Sequence, residues 1–226
     1  MSKLSAEDTE MLRDSARRFF SEQMPVSTMR KIRDEQDPTG FDVKMWQGMA
    51  GMGWPAILIS EDNGGLDLGY QSLAIVLEES GRTLAASPLI ATGVLGTSLI
   101  QALGSDTQRS QYLGSIAAGE LTLALAIDES RRHKPMDIQM SATPKDDGYV
   151  LNGQKTFVLD GHVADRVLVL ARTSGTNTVQ VGLSLFDVDP STSGINITKT
   201  HMVDGRNAAN IKFEDAFCSA ENLMGD

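Results

Sequence analysis

The sequence predicts an α+β fold, in which an all-helical N-terminal domain precedes a small antiparallel β-barrel or sandwich. Through roughly the first half of the 226 residues, apolar side chains recur at the three- and four-residue spacing of amphipathic helices. From Leu121 onward the pattern changes to short apolar runs of strand length, separated by turn-forming residues. Helices first and strands second indicate two domains, residues 1–120 and 121–226.

Five helices are predicted in the first domain, each from an apolar stripe with a local start or stop signal. Ser5 is expected to cap the first helix, with Asp8 reaching back in a capping-box arrangement. Ser87 and Pro88 are expected to open the fourth helix as its cap and first helical residue. The five stripes span residues 11–20, 41–49, 73–84, 89–103 and 112–117.

The second domain is predicted to contain strands at a spacing of roughly ten residues, which suits a small barrel or sandwich. Two of them are expected to form a hairpin in which Asn152-Gly153 is the turn, because these residues readily take positive φ angles. The predicted strands span residues 121–127, 149–151, 156–159, 166–171, 179–188, 195–199 and 210–213.

Composition narrows the classes of function. Thirty acidic residues against twenty basic ones give a net charge of −10, which disfavours general binding to nucleic acid. The single cysteine, Cys218, excludes an internal disulfide and is interpreted as a small core residue. No stretch approaches the roughly 20 consecutive apolar residues of a membrane-spanning helix. We therefore expect a cytoplasmic protein.

Three parts of the sequence carry a resemblance to a known family. They are Glu61–Leu68 (EDNGGLDL) with Leu77–Arg82 (LEESGR), then Ala126–Ser130 (AIDES), then Leu151–Lys155 (LNGQK). In their order and spacing these segments resemble the helical first domain and the β-barrel-like middle domain of acyl-CoA dehydrogenases. The resemblance covers the whole chain, and the three segments together are more specific than any one of them.

The resemblance implies an activity and a third domain. Members of the family use FAD to oxidise an acyl-CoA thioester to the 2,3-enoyl-CoA and pass electrons to an electron-accepting flavoprotein. Their C-terminal four-helix bundle usually supplies the catalytic base and most of the oligomer interface. The sequence ends at Asp226, where the middle domain of the family meets that bundle. We therefore expect no catalytic residue in this chain, and we expect the chain to be a fragment or a short subunit.

The resemblance also assigns five residues to flavin binding: Leu125, Ile127, Asp128, Phe157 and Leu159. Three of them depart from the family pattern, since Asp128 and Leu159 replace a Thr or Ser and Phe157 replaces a Trp. An ionised carboxylate cannot donate a hydrogen bond to the flavin and would repel its reduced, anionic form. These changes resemble a branch that includes the small subunits of heteromeric enzymes. The alternative function is therefore a non-catalytic subunit that shapes a site shared with a partner chain.

A basic cluster stands where the family has a Gly-Ser-Asp segment. It runs from Arg131 to Lys134 and opposes the acidic character of the chain. Arg131 and Arg132 are assigned to substrate binding, as contacts for the phosphates of coenzyme A, while a solvated loop is the competing interpretation. Glu129 is the family-matched carboxylate, expected on the flavin side and therefore unsuited to act as the base. His162 and His201 lack metal-ligand spacing and are interpreted as structural. The stretch Asp160-Gly161-His162 follows a predicted strand and is expected to form a turn.

Overall fold

The computed structural model describes residues 4–176 and 181–225, which fold into two compact units. The first unit comprises residues 4–101 and 106–121 and is helical. The second comprises residues 102–105 together with the described residues from Thr122 onward, and it is built on a sheet. The predicted α+β fold class is confirmed. No helix among the described residues is long and apolar enough to cross a membrane.

All five predicted helices are present, and the Ser5 cap is confirmed by a 3.1 Å hydrogen bond from the Asp8 amide to Ser5 Oγ. The fourth predicted helix is divided into a π-helical segment and α5, and it begins after Pro88 without a side-chain cap from Ser87. Helix α2 was not predicted because none of its residues is buried. The helices of the described residues are α1 (Ala6–Gln23), α2 (Val26–Asp34), α3 (Val43–Gly51), α4 (Gly69–Arg82), the π-helical segment (Leu89–Gly96), α5 (Thr97–Leu103) and α6 (Asp106–Ala117).

The LEESGR motif serves the packing of α4 against α1. The Glu79 carboxylate is 1% exposed and accepts contacts from three arginines, at 3.3 Å from Arg13, 3.2 Å from Arg17 and 3.1 Å from Arg82. Burial raises the pKa of Glu79, but the hydrogen bonds and charges of the arginines outweigh it and hold that pKa below its ordinary value. The motif is therefore explained by a buried ion-pair network within the helical unit.

The Gly-Gly motif is also explained by the backbone. Gly64 has a φ of +79° at the end of a short 3₁₀ turn, Glu61–Asn63, and a left-handed residue there favours glycine. Gly65 lies so close to the preceding chain that an added Cβ would lie 2.1 Å from the carbonyl oxygen of Ile59. The motif therefore makes a tight chain reversal.

Eight strands of the described residues form one sheet in the order β6-β7-β3-β2-β4-β5-β8, with β1 paired to β4. The β1–β4 pairing is parallel, and so is a single β2–β4 contact, so the sheet is mixed and not purely antiparallel as predicted. The strands are β1 (Leu123–Ala126), β2 (Ser141–Lys145), β3 (Gly148–Leu159), β4 (Arg166–Arg172), β5 (Leu183–Val188), β6 (Ile195–His201), β7 (Asn207–Ser219) and β8 (Leu223–Met224).

The hairpin predicted at Asn152-Gly153 is wrong. Strand β3 continues through these residues, and the hairpin turn lies between β2 and β3, before Gly148. The side-chain amide of Asn152 instead contacts β7. Its Nδ2 donates to the Asp215 carboxylate at 3.0 Å, and its Oδ1 accepts from the Asp215 backbone N–H at 2.9 Å. Gly153 has a φ of +143°, and an added Cβ would lie 2.9 Å from Met140. Asn-Gly therefore stands opposite a bulge in the neighbouring strand, and contacts distant in sequence overrule its turn preference.

Strands β1, β4 and β6 lie close to their predicted bounds, whereas β2 and β8 were not predicted. Residues 179 and 180 of the predicted strand 179–188 lie outside the described residues. Strand β7 is much longer than the predicted 210–213. Cys218 lies in the apolar core of the sheet, and its burial raises the pKa of the thiol to about 11, in agreement with a structural role.

Candidate functional site

The segment that leaves β1 is fastened to strand β3. The Thr156 amide donates to the Asp128 carbonyl at 2.7 Å, and Thr156 Oγ1 donates to the Ser130 carbonyl at 3.1 Å. One residue earlier, Lys155 Nζ donates to the Ile127 carbonyl at 3.0 Å. The second and third family-like segments, which are far apart in sequence, therefore form one continuous surface.

A buried ion pair lies beneath this surface. Lys155 Nζ is 2.7 Å from Glu129 Oε1, and the lysine side chain is fully buried. The Glu129 carboxylate also accepts the backbone N–H groups of Gln139 at 2.7 Å and Met140 at 3.0 Å. Burial lowers the pKa of Lys155, although Glu129 opposes that shift. Glu129 is therefore a bound, structural carboxylate, and the sequence prediction missed Lys155 as its partner.

Phe157 follows on a bulge of β3. The register against β7 shifts between Lys155 and Val158, and Phe157 takes a φ of +53°, in the left-handed region. For a bulky residue this conformation costs roughly 1–2 kcal/mol. The ring is nevertheless 52% exposed. A strained backbone thus presents an aromatic ring to solvent beside the Ile127–Ser130 segment.

The other residues predicted to bind flavin lie on the same two strands or directly after β1. Leu125 in β1, Ile127 beyond it and Leu159 at the end of β3 are half-buried. The Asp128 carboxylate contacts His133 Nδ1 at 3.0 Å and accepts the Lys134 N–H at 3.2 Å. It is therefore engaged by its own loop, which the sequence could not indicate.

The basic cluster lies on the loop between β1 and β2. Arg131 and Arg132 are both exposed and follow directly after the fastened segment. A cleft of about 250 Å³ opens beside this loop, and the basic residue lining it is Lys134, not either arginine. The cleft is lined by Glu129, Ser130, Lys134, Asp137, Gln139, Met140, Gly153 and Gln154. The placement leaves both arginines able to meet a phosphate group, although no hydrogen bond or ion pair orients either side chain within the part of the chain that the structure describes.

Strand β3 ends at a buried aspartate that the sequence indicated only as part of a turn. The turn is confirmed, since the Gly161 N–H donates to the Val158 carbonyl and the Val163 N–H donates to the Asp160 carbonyl, both at 3.0 Å. Asp160 itself is 5% exposed, and its burial raises the pKa of the carboxyl to about 7, against the opposing influences of Arg206 and Asn207. No pattern in the sequence distinguishes it from a solvated turn aspartate.

The residues present fit a flat ring system such as flavin. Phe157 offers an exposed aromatic face, and Ile127 and Leu159 are apolar neighbours along the same strands. The nearby charges of Lys155 and Glu129 are paired with each other. Phe157, Ile127 and Leu159 therefore give this surface an apolar part that suits the flat aromatic portion of an isoalloxazine ring.

Comparison with known proteins matches two stretches of the chain to family models. The model of the acyl-CoA dehydrogenase N-terminal domain matches residues 6–120, and that of the middle domain matches residues 126–216. The mitochondrial 2-methylacyl-CoA dehydrogenase of Solanum tuberosum is 28% identical over 98% of this chain and 56% of its own length. The chain spans little more than half the length of such relatives.

Comparison with solved structures also finds acyl-CoA dehydrogenases. An acyl-CoA dehydrogenase from Geobacillus kaustophilus superposes with a TM-score of 0.85 at 25% identity, over 100% of this chain and 60% of its own. A variant of the Tcur3481-Tcur3483 steroid ACAD gives a TM-score of 0.84 at 27% identity, over 97% of this chain and 57% of its own. Because both domain models match in order and together cover most of the sequence, the chain belongs to the acyl-CoA dehydrogenase family.

Proposed function

We propose that this chain forms one wall of a site in which an acyl-CoA thioester is oxidised to the 2,3-enoyl-CoA with FAD as the cofactor. The observation that carries the proposal is Phe157, an aromatic ring held 52% exposed on a left-handed bulge. Strained backbone conformations cluster at ligand sites, so a bulky residue held in the left-handed region with its ring exposed supports a ligand surface here. The family relationship supports FAD as that ligand.

Each group of the wall has a role in this reaction. Bound FAD would supply the acceptor for the hydride that leaves the β-carbon of the substrate. Phe157 would cover the ring and exclude water, while Thr156 and Lys155 hold the opposite segment in place. Glu129 does not serve as the base for the α-proton, because its carboxylate is bound by Lys155 and by two backbone N–H groups. The base therefore comes from another segment or another chain.

A second function is favoured by Asp128 and Leu159, which remove two hydroxyl groups from the flavin-facing strands. In this alternative the chain is a non-catalytic subunit that completes a site shared with a partner. The chain is similar to the Tcur3481-Tcur3483 steroid ACAD, whose name joins two designations, and this similarity supports a site shared between two chains. In both proposals the protein is part of an oligomer and passes electrons to an electron-accepting flavoprotein. The cytoplasmic location stays a prediction.

Titration with FAD tests the wall. We expect the chain to bind FAD with a Kd above about 1 µM, which is weaker than roughly −8 kcal/mol, because one wall alone encloses little of the ring. Phe157→Ala should weaken binding by roughly two- to tenfold, the usual value of an aromatic contact. Phe217→Ala is the matched control, since Phe217 is a 42% exposed ring on β7 of the same unit. Equal affinities for wild type and Phe157→Ala would contradict the proposal.

Two further measurements test the role of Glu129 and the alternative function. Dye-linked oxidation of acyl-CoA substrates of several lengths, with FAD added, should show no turnover by this chain alone. Turnover that Glu129→Gln abolishes would overturn the structural role of Glu129. If the chain has become a non-catalytic subunit, the double variant Asp128→Thr, Leu159→Thr should tighten FAD binding by roughly thirtyfold, at about 1 kcal/mol for each of the two restored hydrogen bonds. An unchanged Kd would count against this alternative.

A further inference from the structure

The Lys155–Glu129 pair joins three parts of the β unit. Lys155 lies in β3 and Glu129 follows β1, and the carboxylate gathers the backbone amides that precede β2. We propose that Lys155 is a positioning residue, whose ammonium group sets the geometry of the flavin-facing surface by holding the Ile127–Ser130 segment against the Thr156–Phe157 bulge. This inference rests on the proposed function and assigns a task to a lysine whose side chain is fully buried beneath that surface.

The contacts show how one group controls several segments. Lys155 Nζ donates to the Ile127 carbonyl at 3.0 Å and to Glu129 Oε1 at 2.7 Å, so it fastens the chain just beyond β1. Glu129 in turn accepts from the amides of Gln139 and Met140 and closes the other end of the same loop. Both ends of the basic loop 129–140 are therefore held at a single point. That point lies two residues before Phe157.

Stability alone does not explain a fully buried lysine at this place. Removing an ammonium and a carboxylate from water costs several kcal/mol, and an apolar pair of similar volume is often as stable. An apolar pair, however, has no direction. The buried ammonium needs oxygen acceptors, and it reaches the Ile127 carbonyl and the Glu129 carboxylate together while the Ile127–Ser130 segment lies against β3. Lys155 thus specifies geometry.

The variant Lys155→Met removes the charge and keeps most of the side-chain volume. It leaves the Ile127 carbonyl and the Glu129 carboxylate without the ammonium, so both ends of the loop should loosen. We expect the amides of Thr156, Gln139 and Met140 to exchange hydrogen at least tenfold faster in the absence of FAD. The Kd for FAD should rise at least tenfold.

A matched control separates positioning from general stability. Arg166 Nε contacts Asp187 at 2.8 Å, and Asp187 is 1% exposed, so Arg166→Met breaks a second ion pair with a buried carboxylate in the same unit. Both variants should lower the melting temperature, but only Lys155→Met should weaken FAD binding. Titrations are performed where circular dichroism shows each variant to be fully folded. If Lys155→Met does not fold, Glu129→Gln takes its place, because a glutamine keeps the volume but cannot accept from the lysine and both amides together.

The outcomes are distinguishable. A loss of FAD affinity and amide protection in Lys155→Met, with FAD affinity retained in Arg166→Met, supports the inference. Equal weakening of FAD binding by the two variants overturns it, and so does unchanged amide exchange in Lys155→Met. Failure of the wild-type chain to bind any FAD refutes the proposed function instead. In that case the exchange rates, which need no flavin, still decide whether Lys155 holds the segment.

Discussion

Replacement of Asp160 by asparagine should remove a dependence of stability on pH. Asp160 is 5% exposed at the end of β3, and burial raises the pKa of its carboxyl from 3.8 to about 7, despite Arg206 and Asn207. The folded chain therefore binds a proton that the unfolded chain has already released at neutral pH. Folding is favoured while that proton is present, so stability falls as the pH rises toward 7. Asparagine has the same shape and never ionises.

The magnitude follows from the shift. Each pH unit between the unfolded and folded pKa values changes the free energy of unfolding by about 1.4 kcal/mol. Between pH 5 and the folded pKa of about 7, the wild-type chain should lose roughly 2–3 kcal/mol relative to Asp160→Asn, and the loss should level off above that pH. For a chain of this length the difference corresponds to roughly 5–10 °C in melting temperature.

Thermal melts at pH 5, 6, 7 and 8 check this result. The quantity to compare is the difference between wild type and variant at each pH, because the titration of other groups cancels. Asp147→Asn serves as the matched control, since Asp147 is an exposed aspartate just before β3. A difference between wild type and Asp160→Asn that is the same at pH 5 and pH 8 would refute the reasoning.

Three further predictions concern structural positions. Gly65→Ala should destabilise the chain by about 1–3 kcal/mol, because its Cβ would lie 2.1 Å from the Ile59 carbonyl oxygen. Gly114→Ala in α6, where nothing lies within 4 Å of the added Cβ, should stabilise the chain by up to about 1 kcal/mol. Paired thermal melts that rank the two variants the other way would contradict this prediction. Glu79→Gln should cost about 1–3 kcal/mol at neutral pH. Since its arginine partners keep the pKa of Glu79 low against desolvation, this loss should shrink in acid as the wild-type carboxylate is protonated, and urea titrations at pH 3 and pH 7 test it. With a thiol pKa of about 11, Cys218 should react with a disulfide reagent far more slowly in the native chain than in urea, and equal rates would show that it is accessible.

Part of the candidate site lay within reach of sequence reasoning. The resemblance assigned Ile127 and Phe157 to one ligand, and hydrogen bonds from Thr156 hold their two segments together. That either residue binds flavin stays a prediction. The Lys155–Glu129 pair was not expected, although a lysine inside an apolar strand is an unusual signal. A pairing over 26 residues depends on which strands are neighbours. The order of strands is not visible in local patterns.

The sequence by itself determined the division into helices and strands, the cap at Ser5 and the class of the fold, because these depend on side-chain periodicity and on contacts within a few residues. Only the tertiary structure decided the role of Asn152-Gly153, the left-handed bulge at Phe157 and the burial of Asp160. In each case the conformation or burial of the residue depends on contacts with distant parts of the chain and not on its local sequence. The physical reason is that burial and strand pairing act between residues far apart in the chain, and they outweigh turn propensities of about 1 kcal/mol.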